Sequence, residues 1–160
     1  MLSNNHGVVS ETLTRLEERL RARDVEGAVA CFMPNGAIYG KDVGEQAHGA
    51  TELRALFDGL MAREETIGWD LGETHVRSSA GSVWFVADAS LVVRGPHGAD
   101  PQLHPFRMSG ILRGHHGFWR FELFNGTMPL IGSRPGPSPS PTPVLHLVTS
   151  EAVESRTRVS

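Results

Sequence analysis

The chain has 160 residues, 39% of them hydrophobic, with 15 basic and 18 acidic residues and a net charge of −3. This length suits one domain with a real core, and the lack of a basic field argues against a nucleic-acid partner. The single cysteine, Cys31, excludes an intrachain disulfide and a zinc site built from several cysteines.

The N-terminal part of the chain has the spacing of amphipathic helices. Residues 1–9 are expected to be a flexible lead-in, without the basic and apolar segments of a signal peptide. Ser10 can cap a first helix, because Leu13, Leu16 and Leu20 then lie on one face. Asp24 can cap a second, shorter helix, which a Pro-Asn-Gly turn would end.

A short strand and a glycine-punctuated loop separate these helices from a third. The strand is expected at residues 37–39 and the third helix at residues 51–63, where it buries Phe57 together with leucines. The loop between them carries two carboxylates, those of Asp42 and Glu45. A solvated loop would explain both side chains, and so would the mouth of a pocket.

The pattern then becomes extended. Four β-prone stretches are expected to form an antiparallel meander, at residues 66–78, 82–94, 104–113 and 118–126. Helices followed by such strands are typical of an α+β fold. The second stretch is apolar on both faces, with Trp84 on one and Phe85 on the other. Such a sheet needs two covers, so we expect helices on one side and a second copy of the chain, as a homodimer, on the other.

The last part of the chain changes composition. Prolines alternate with small residues in GSRPGPSPSPTP, and residues 131–160 are therefore predicted to be a disordered tail. No run approaches the ~18 apolar residues of a membrane span. We expect no membrane partner and a cytoplasmic location.

Four short motifs follow one another in a recognisable order. They are Gly40-x-Asp42-x-x-Glu45-x-x-x-Gly49, GSVWFVADASL at residues 81–91, Arg107-x-Ser109, and GFWRFELFNGTMP at residues 117–129. With the element order, they resemble the nuclear transport factor 2-like (NTF2-like) superfamily and its SnoaL-like branch, over about residues 10–130. The resemblance implies a cone-shaped α+β barrel, in which three N-terminal helices pack on a strongly curved antiparallel sheet around an apolar cavity. This fold hosts isomerases, dehydratases, cyclases and non-catalytic domains, so it does not by itself assign a chemistry.

Comparison with the ketosteroid isomerase branch implies a different site here. Counted without gaps from Phe32, the catalytic carboxylate of that branch falls on Gly40, its oxyanion tyrosine near Leu16 and its protonated aspartate near Ser109. The SnoaL-like branch commonly has a histidine in the last strand, in the neighbourhood where this chain has Asn125. The chain is therefore not expected to be a ketosteroid isomerase.

Asp88 and Arg107 are the first catalytic candidates. Asp88 lies in the middle of a strand, where aspartate is uncommon, and a cavity-facing carboxylate there would be a good general base. Arg107 interrupts the next strand and could hold a carboxylate or an enolate oxygen. The alternative is a structural ion pair between the two side chains, which is compatible with the catalytic interpretation.

The loop and the apolar walls provide the other candidates. Asp42 is the third catalytic candidate, because its segment resembles the isomerase base region. Asn125 could donate to a substrate carbonyl or cap a strand end. Trp69 and Trp84 are expected as cavity walls, with plain core packing as the alternative. Substrate contacts are predicted for Trp69, Trp84, Asn125, Glu45 and Phe57.

Two functions fit this pattern. The eight histidines show no H-x₃-H spacing, so we expect neither a metal nor another cofactor. The first hypothesis is an isomerase, cyclase or dehydratase that acts by acid–base chemistry on a hydrophobic, oxygenated small molecule. Asp88 or Asp42 would be the base, with Arg107 and Asn125 as polarising groups. The second hypothesis is a ligand-binding or assembly domain that uses the same cavity without turnover.

Overall fold

The computed structural model of the chain describes residues 4–129. The predicted tail at residues 131–160 therefore lies outside the described residues. In chain order the elements are α1 (Asn5–Arg21), α2 (Val25–Ala30), β1 (Phe32–Tyr39), β2 (Gln46–His48), α3 (Gly49–Met61), β3 (Thr66–Ser79), β4 (Ser82–Arg94), β5 (Gln102–His115) and β6 (Phe118–Thr127). None of these helices is long and apolar enough to cross a membrane.

Helix α1 begins earlier than the leucine spacing suggested. Asn4, rather than Ser10, caps it, and the Asn4 side chain accepts a hydrogen bond from the Gly7 N–H at 3.1 Å. Residues 5–9, expected to be part of a flexible lead-in, are helical because Val9 extends the apolar stripe and is buried. The cap predicted for α2 is confirmed, since the Asp24 side chain accepts from the Gly27 N–H at 2.9 Å.

Within residues 4–129, six strands form one sheet in the order β2-β1-β6-β5-β4-β3. The predicted meander of β3 to β6 is confirmed, whereas β1 and β6 pair in parallel. Strand β1 also starts at Phe32, not at Ala37, and the expected Pro-Asn-Gly turn is an irregularity inside it. The register shifts between Phe32 and Ala37, and this bulge accommodates a proline that cannot donate to the ladder.

The helices cover one face of the curved sheet, and no helix within residues 4–129 covers the other face. Strand β4 shows the alternation directly, because Val83, Phe85 and Ala87 are buried while the residues between them are exposed. The largest core side chains are Phe32, Phe57, Phe85 and Phe121. The outer face is the side that carries Trp84 and its neighbours of the same parity. The α+β prediction, with N-terminal helices on a curved and mostly antiparallel sheet, is confirmed.

Candidate functional site

An apolar cavity of about 620 Å³ lies between the helices and the sheet. Helices α1 and α3 supply one side of it, and β1 and β3 to β6 supply the other. The cavity-lining hydrophobic residues with the largest side chains are Leu16, Leu20, Ile38, Leu56, Phe57, Leu60, Met61, Ile67, Trp69, Leu91, Val93, Phe106 and Phe124. A volume in this range is typical of pockets for small organic molecules.

Aromatic side chains form much of the cavity wall. Trp69 is only 8% exposed, and its ring lies 6.4 Å from that of Phe124 at an angle of 35°. Phe57 reaches the cavity from α3 and also contacts the core ring of Phe32, with 5.8 Å between ring centroids. Trp69 and Phe57, two of the predicted substrate contacts, therefore lie on the wall of the cavity. Such flat, rigid surfaces favour apolar ligands that present planar groups.

Charged side chains lie together at one end of the cavity. Five ionisable residues of the described range 4–129 line this end, namely Arg23, Lys41, Glu45, Arg63 and Glu65. Four of them are exposed and Glu45 is half-buried, and all five lie in loops or beyond helix ends. We call these five residues the mouth. A ligand inside would therefore have its body against hydrocarbon and one end near charge.

The loop between β1 and β2 brings Glu45 to the mouth. The Gly40 N–H donates to the Glu45 carbonyl at 2.6 Å, and the Glu45 N–H donates to the Asp42 carbonyl at 3.1 Å. The Asp42 N–H in turn donates to Glu45 Oε2 at 3.2 Å. Gly40 has no side chain, which leaves room for the Glu45 side chain to lie directly against its backbone. The glycine-punctuated loop is thus a tight turn that fixes a carboxylate at the cavity.

Asp42 has a different place from the one expected for a catalytic carboxylate. Its side chain is exposed, forms an ion pair with Lys41 and is not part of the cavity lining. Of the two loop carboxylates, Glu45 is the one that reaches the cavity. Asp42 contributes through its backbone, which holds Glu45 in position.

Asp88 and Arg107 lie on the outer face, so the prediction that they face the cavity is wrong. They are directly opposite each other on β4 and β5, and Arg107 Nε donates to Asp88 Oδ1 at 2.7 Å. The alternative, a structural ion pair, is confirmed. The side chains of Arg107 and Asp88 are 55% and 58% exposed, respectively, so neither is desolvated. The reason is parity, because Phe85 and Ala87 take the inward positions of β4.

Trp84 and Asn125 also lie outside the cavity. Trp84 is 45% exposed on the outer face. Asn125 stands opposite Ser109 on β5, which in turn stands opposite the exposed Val86 on β4. An irregularity in the β5–β6 pairing changes the parity of β6, so Asn125 does not share the inward direction of the buried Phe121. The expectation that Trp84 and Asn125 contact a substrate in the cavity is therefore wrong for this cavity.

In the described part of the chain, four groups outside the cavity have shifted pKa values, namely Glu26, Cys31, Arg54 and His115. The hydrogen bond and charge of Arg54 lower the pKa of Glu26, and this pair joins α3 to α2. Burial raises the pKa of the Cys31 thiol. Burial and the neighbouring charges of His116 and Arg120 lower the pKa of His115. Among residues 4–129, no three His, Cys, Asp or Glu side chains come together in a way that could hold a metal ion.

Several cavity residues were not predicted. Leu91 and Val93 share the inward parity of Phe85, so strand alternation could have found them once the helix-covered face was known. The sequence around the mouth residues Arg23 and Arg63 does not indicate that they line the cavity, because their position depends on how α1 and α3 end.

Comparisons with known proteins agree with this architecture. Residues 9–130 match the family model described as SnoaL-like domain. No curated protein matches the sequence at a significant level.

Solved structures of the same fold are distant in sequence. A proposed dehydratase of the NTF2-like family from Streptomyces avermitilis aligns with 14% identity and a TM-score of 0.68, covering 81% of this chain and 99% of that one. ActVI-ORFA from Streptomyces coelicolor aligns with 17% identity and a TM-score of 0.66, covering 77% and 96%. A ketosteroid isomerase-like protein from Erwinia carotovora atroseptica aligns with 13% identity and a TM-score of 0.62, covering 82% and 100%. At these identities the likeness establishes the fold alone.

Proposed function

The chain belongs to the SnoaL-like domain family, and from that premise we propose that its cavity binds a hydrophobic, oxygenated small molecule and acts on it by cofactor-free acid–base chemistry. The observation that carries the proposal is the apolar cavity of about 620 Å³ with the half-buried residue Glu45 at its mouth. Similar structures described as a proposed dehydratase and as ketosteroid isomerase-like support this reaction class.

The lining determines how a ligand would lie. Burial of apolar ligand surface against the aromatic and aliphatic walls contributes roughly 25 cal/mol per Å². An oxygen atom placed among these side chains would lose its hydrogen bonds to water without gaining a partner, which disfavours that orientation. The oxygenated end of the ligand therefore points to the mouth, where Glu45 and Lys41 are available.

Glu45 is the proposed general base in place of Asp88 and Asp42. It lines the cavity, and the Asp42 N–H fixes its Oε2 at 3.2 Å, so the carboxylate is positioned before a ligand arrives. Its carboxylate would take a proton from a carbon next to the carbonyl of the ligand, and Lys41 would stabilise the charge that develops on the oxygen. Isomerisation, cyclisation and dehydration can each begin with this transfer, to which a positioned base contributes about 10²–10⁴-fold in rate.

The experiment follows the proton directly. β-Tetralone, an apolar aromatic ketone, is incubated with the protein in deuterium oxide, and deuterium uptake next to its carbonyl is followed by proton NMR. Wild type is expected to accelerate uptake, and Glu45→Gln to lower the enzymatic rate by about 100-fold or more. Glu65→Gln changes a second lining carboxylate and is the matched control. Equal rates in wild type and Glu45→Gln would contradict the role of Glu45.

A second function, ligand binding without turnover, is favoured by one observation. In the part of the chain that the structure describes, every ionisable residue of the lining lies at the mouth, and the inner wall is apolar. A ligand held deep in the cavity would then have no acid or base beside it. Saturable binding of β-tetralone with no accelerated deuterium uptake would support this function and exclude catalysis on simple ketones.

We also propose that a second copy of the chain covers the outer face. Trp84 and Val86 expose 45% and 37% of their surface there, with Ile111 and Leu123 beside them on the neighbouring strands. An apolar cluster of this kind, flanked by the Asp88–Arg107 ion pair, suits an interface between identical faces. Wild type is expected to sediment as a dimer and Trp84→Lys as a monomer. A monomeric wild type would contradict this proposal.

A further inference from the structure

Helix α1 ends in a conformation that usually requires glycine. The Arg23 N–H donates to the Leu20 carbonyl at 3.1 Å and the Asp24 N–H donates to the Arg19 carbonyl at 3.0 Å, which is the Schellman pattern. In this motif the residue after the helix cap adopts a left-handed backbone, most often as glycine. Here that residue is Arg23, with a φ of 55°. A side chain at this position costs about 1 kcal/mol or more relative to glycine.

The Arg23 side chain reaches the far end of α3. Its guanidinium donates to the Arg63 carbonyl at 2.7 Å and to the Glu64 carbonyl at 3.1 Å, and it also donates to the Met61 carbonyl. These carbonyls belong to the last residue of α3 and to the turn that follows it. A cation at this end of a helix also interacts favourably with the helix dipole.

These hydrogen bonds connect the two helices that line the cavity. Leu16 and Leu20 line it from α1, whereas Leu60 and Met61 line it from α3. Arg23 is itself part of the mouth and bridges the two helix ends. Moving the end of α3 away from α1 would break all three hydrogen bonds of the Arg23 guanidinium. The hydrogen bonds therefore favour the arrangement in which the two helix ends stay together.

We propose that Arg23 holds the end of α3 against the end of α1 and thereby sets how far the mouth opens for ligand uptake and release. Arg23 is in this sense a positioning residue. The inference rests on the proposed function, since it assumes that the cavity takes a ligand. Arg23 would then control the rates of ligand uptake and release through the positions of the two helix ends, without contact with the bound ligand.

The proposal predicts a particular kinetic signature. Hydrogen bonds that hold the mouth narrow slow ligand uptake and release alike, because the ligand passes the same opening in both directions. The cavity walls, which determine the affinity, are unchanged when the Arg23 hydrogen bonds are lost. Removing the guanidinium should therefore raise both rate constants and leave their ratio, the dissociation constant, nearly constant.

Glycine at position 23 makes a clean test. Arg23→Gly removes the guanidinium and also places the preferred residue at the end of α1, so the helix end itself is not harmed. Ala80→Gly is the matched control, since Ala80 has a φ of 45° in the turn between β3 and β4 and offers no polar side chain. Arg23→Lys keeps the charge but loses the planar fork that reaches several carbonyls.

Two measurements are made on the full chain. Stopped-flow fluorescence with the apolar probe N-phenylnaphthylamine gives the association and dissociation rate constants. Amide hydrogen exchange follows Ala62 and Arg63, whose N–H groups donate to the Asp58 and Leu60 carbonyls at the end of α3.

In Arg23→Gly both rate constants are expected to rise about tenfold, a change equivalent to ~1.4 kcal/mol, and exchange at Ala62 and Arg63 should become faster. Arg23→Lys should lie between wild type and Arg23→Gly, and Ala80→Gly should match wild type. If the rate constants and amide exchange of Arg23→Gly equal those of Ala80→Gly, the proposal is overturned. If wild type binds no probe, the proposed function fails instead, and the exchange comparison still decides whether Arg23 holds the mouth.

Discussion

The contact between Gly40 and Glu45 gives the sharpest prediction about the mouth. A methyl group at position 40 would lie 2.5 Å from Glu45 Oε2 and 2.7 Å from Glu45 Cβ. Both distances fall about 1 Å short of ordinary contact at 3.5–4.0 Å. In Gly40→Ala the Glu45 side chain must therefore move, and with it the hydrogen bond from the Asp42 N–H to Oε2. We expect this substitution to cost about 1–3 kcal/mol, the usual range for overpacking.

Gly59→Ala is the matched control, with the opposite expected sign. Gly59 lies in α3, also lines the cavity, and has open space where its methyl group would be. A helical glycine replaced by alanine gains about 0.5–1 kcal/mol. At about 4 °C per kcal/mol, Gly40→Ala should lower the melting temperature by roughly 4–12 °C and Gly59→Ala should raise it by roughly 2–4 °C.

Thermal unfolding followed by circular dichroism measures these shifts, and deuterium uptake by β-tetralone measures the consequence for Glu45. Because Gly40→Ala displaces the carboxylate, its exchange rate should fall towards that of Glu45→Gln, while Gly59→Ala should retain the wild-type rate. A Gly40→Ala variant with the stability and exchange rate of wild type would refute the packing of Glu45 against Gly40 and its role at the mouth.

Three further predictions concern groups outside the cavity. Asp88→Asn should lower the free energy of unfolding by at most about 1 kcal/mol, because its ion pair with Arg107 is exposed on the outer face. The affinity for N-phenylnaphthylamine should stay unchanged, and a loss of affinity in a fluorescence titration would contradict this placement. Arg54→Gln should remove stability that is present above the ordinary Glu26 pKa of 4.5 and is lost as the pH falls through the lowered folded-state pKa. Urea unfolding at several pH values should therefore show wild type and Arg54→Gln converging in acid, and a constant difference would argue against the pair. Burial raises the pKa of Cys31, so Ellman's reagent should react slowly with the folded chain and rapidly in guanidinium chloride; equal rates would contradict the buried thiol.

Much of the fold follows from local patterns in the sequence. The spacing of Leu13, Leu16 and Leu20 predicted α1, and the β-branched and aromatic stretches predicted β3 to β6. The parallel pairing of β1 with β6 and the short β2 were not predicted. Both depend on tertiary contacts, because a three-residue strand and a proline-containing bulge carry no local signature of pairing.

The candidate site was predictable only where burial and function coincide. Trp69 and Phe57 are large aromatic residues in apolar segments, so any packing of helices on the sheet brings them inward. Asp88 was placed on the wrong face because β4 is apolar on both sides, and its pattern does not say which side the helices cover. A side chain such as Arg23 depends on two helix ends meeting, which no single stretch of sequence encodes.

Equilibrium titration with N-phenylnaphthylamine, in wild type and in Leu91→Trp, tests most directly whether the cavity is a binding site. Leu91 lies on the cavity wall opposite Trp69 in the β3–β4 pairing, so an indole at this position would fill space that a ligand needs. Wild type should give a saturable, equimolar fluorescence increase, and Leu91→Trp, folded by circular dichroism, should lose it. Equal binding by the two proteins, or no saturable binding by wild type, would contradict a ligand-binding cavity between the helices and the sheet.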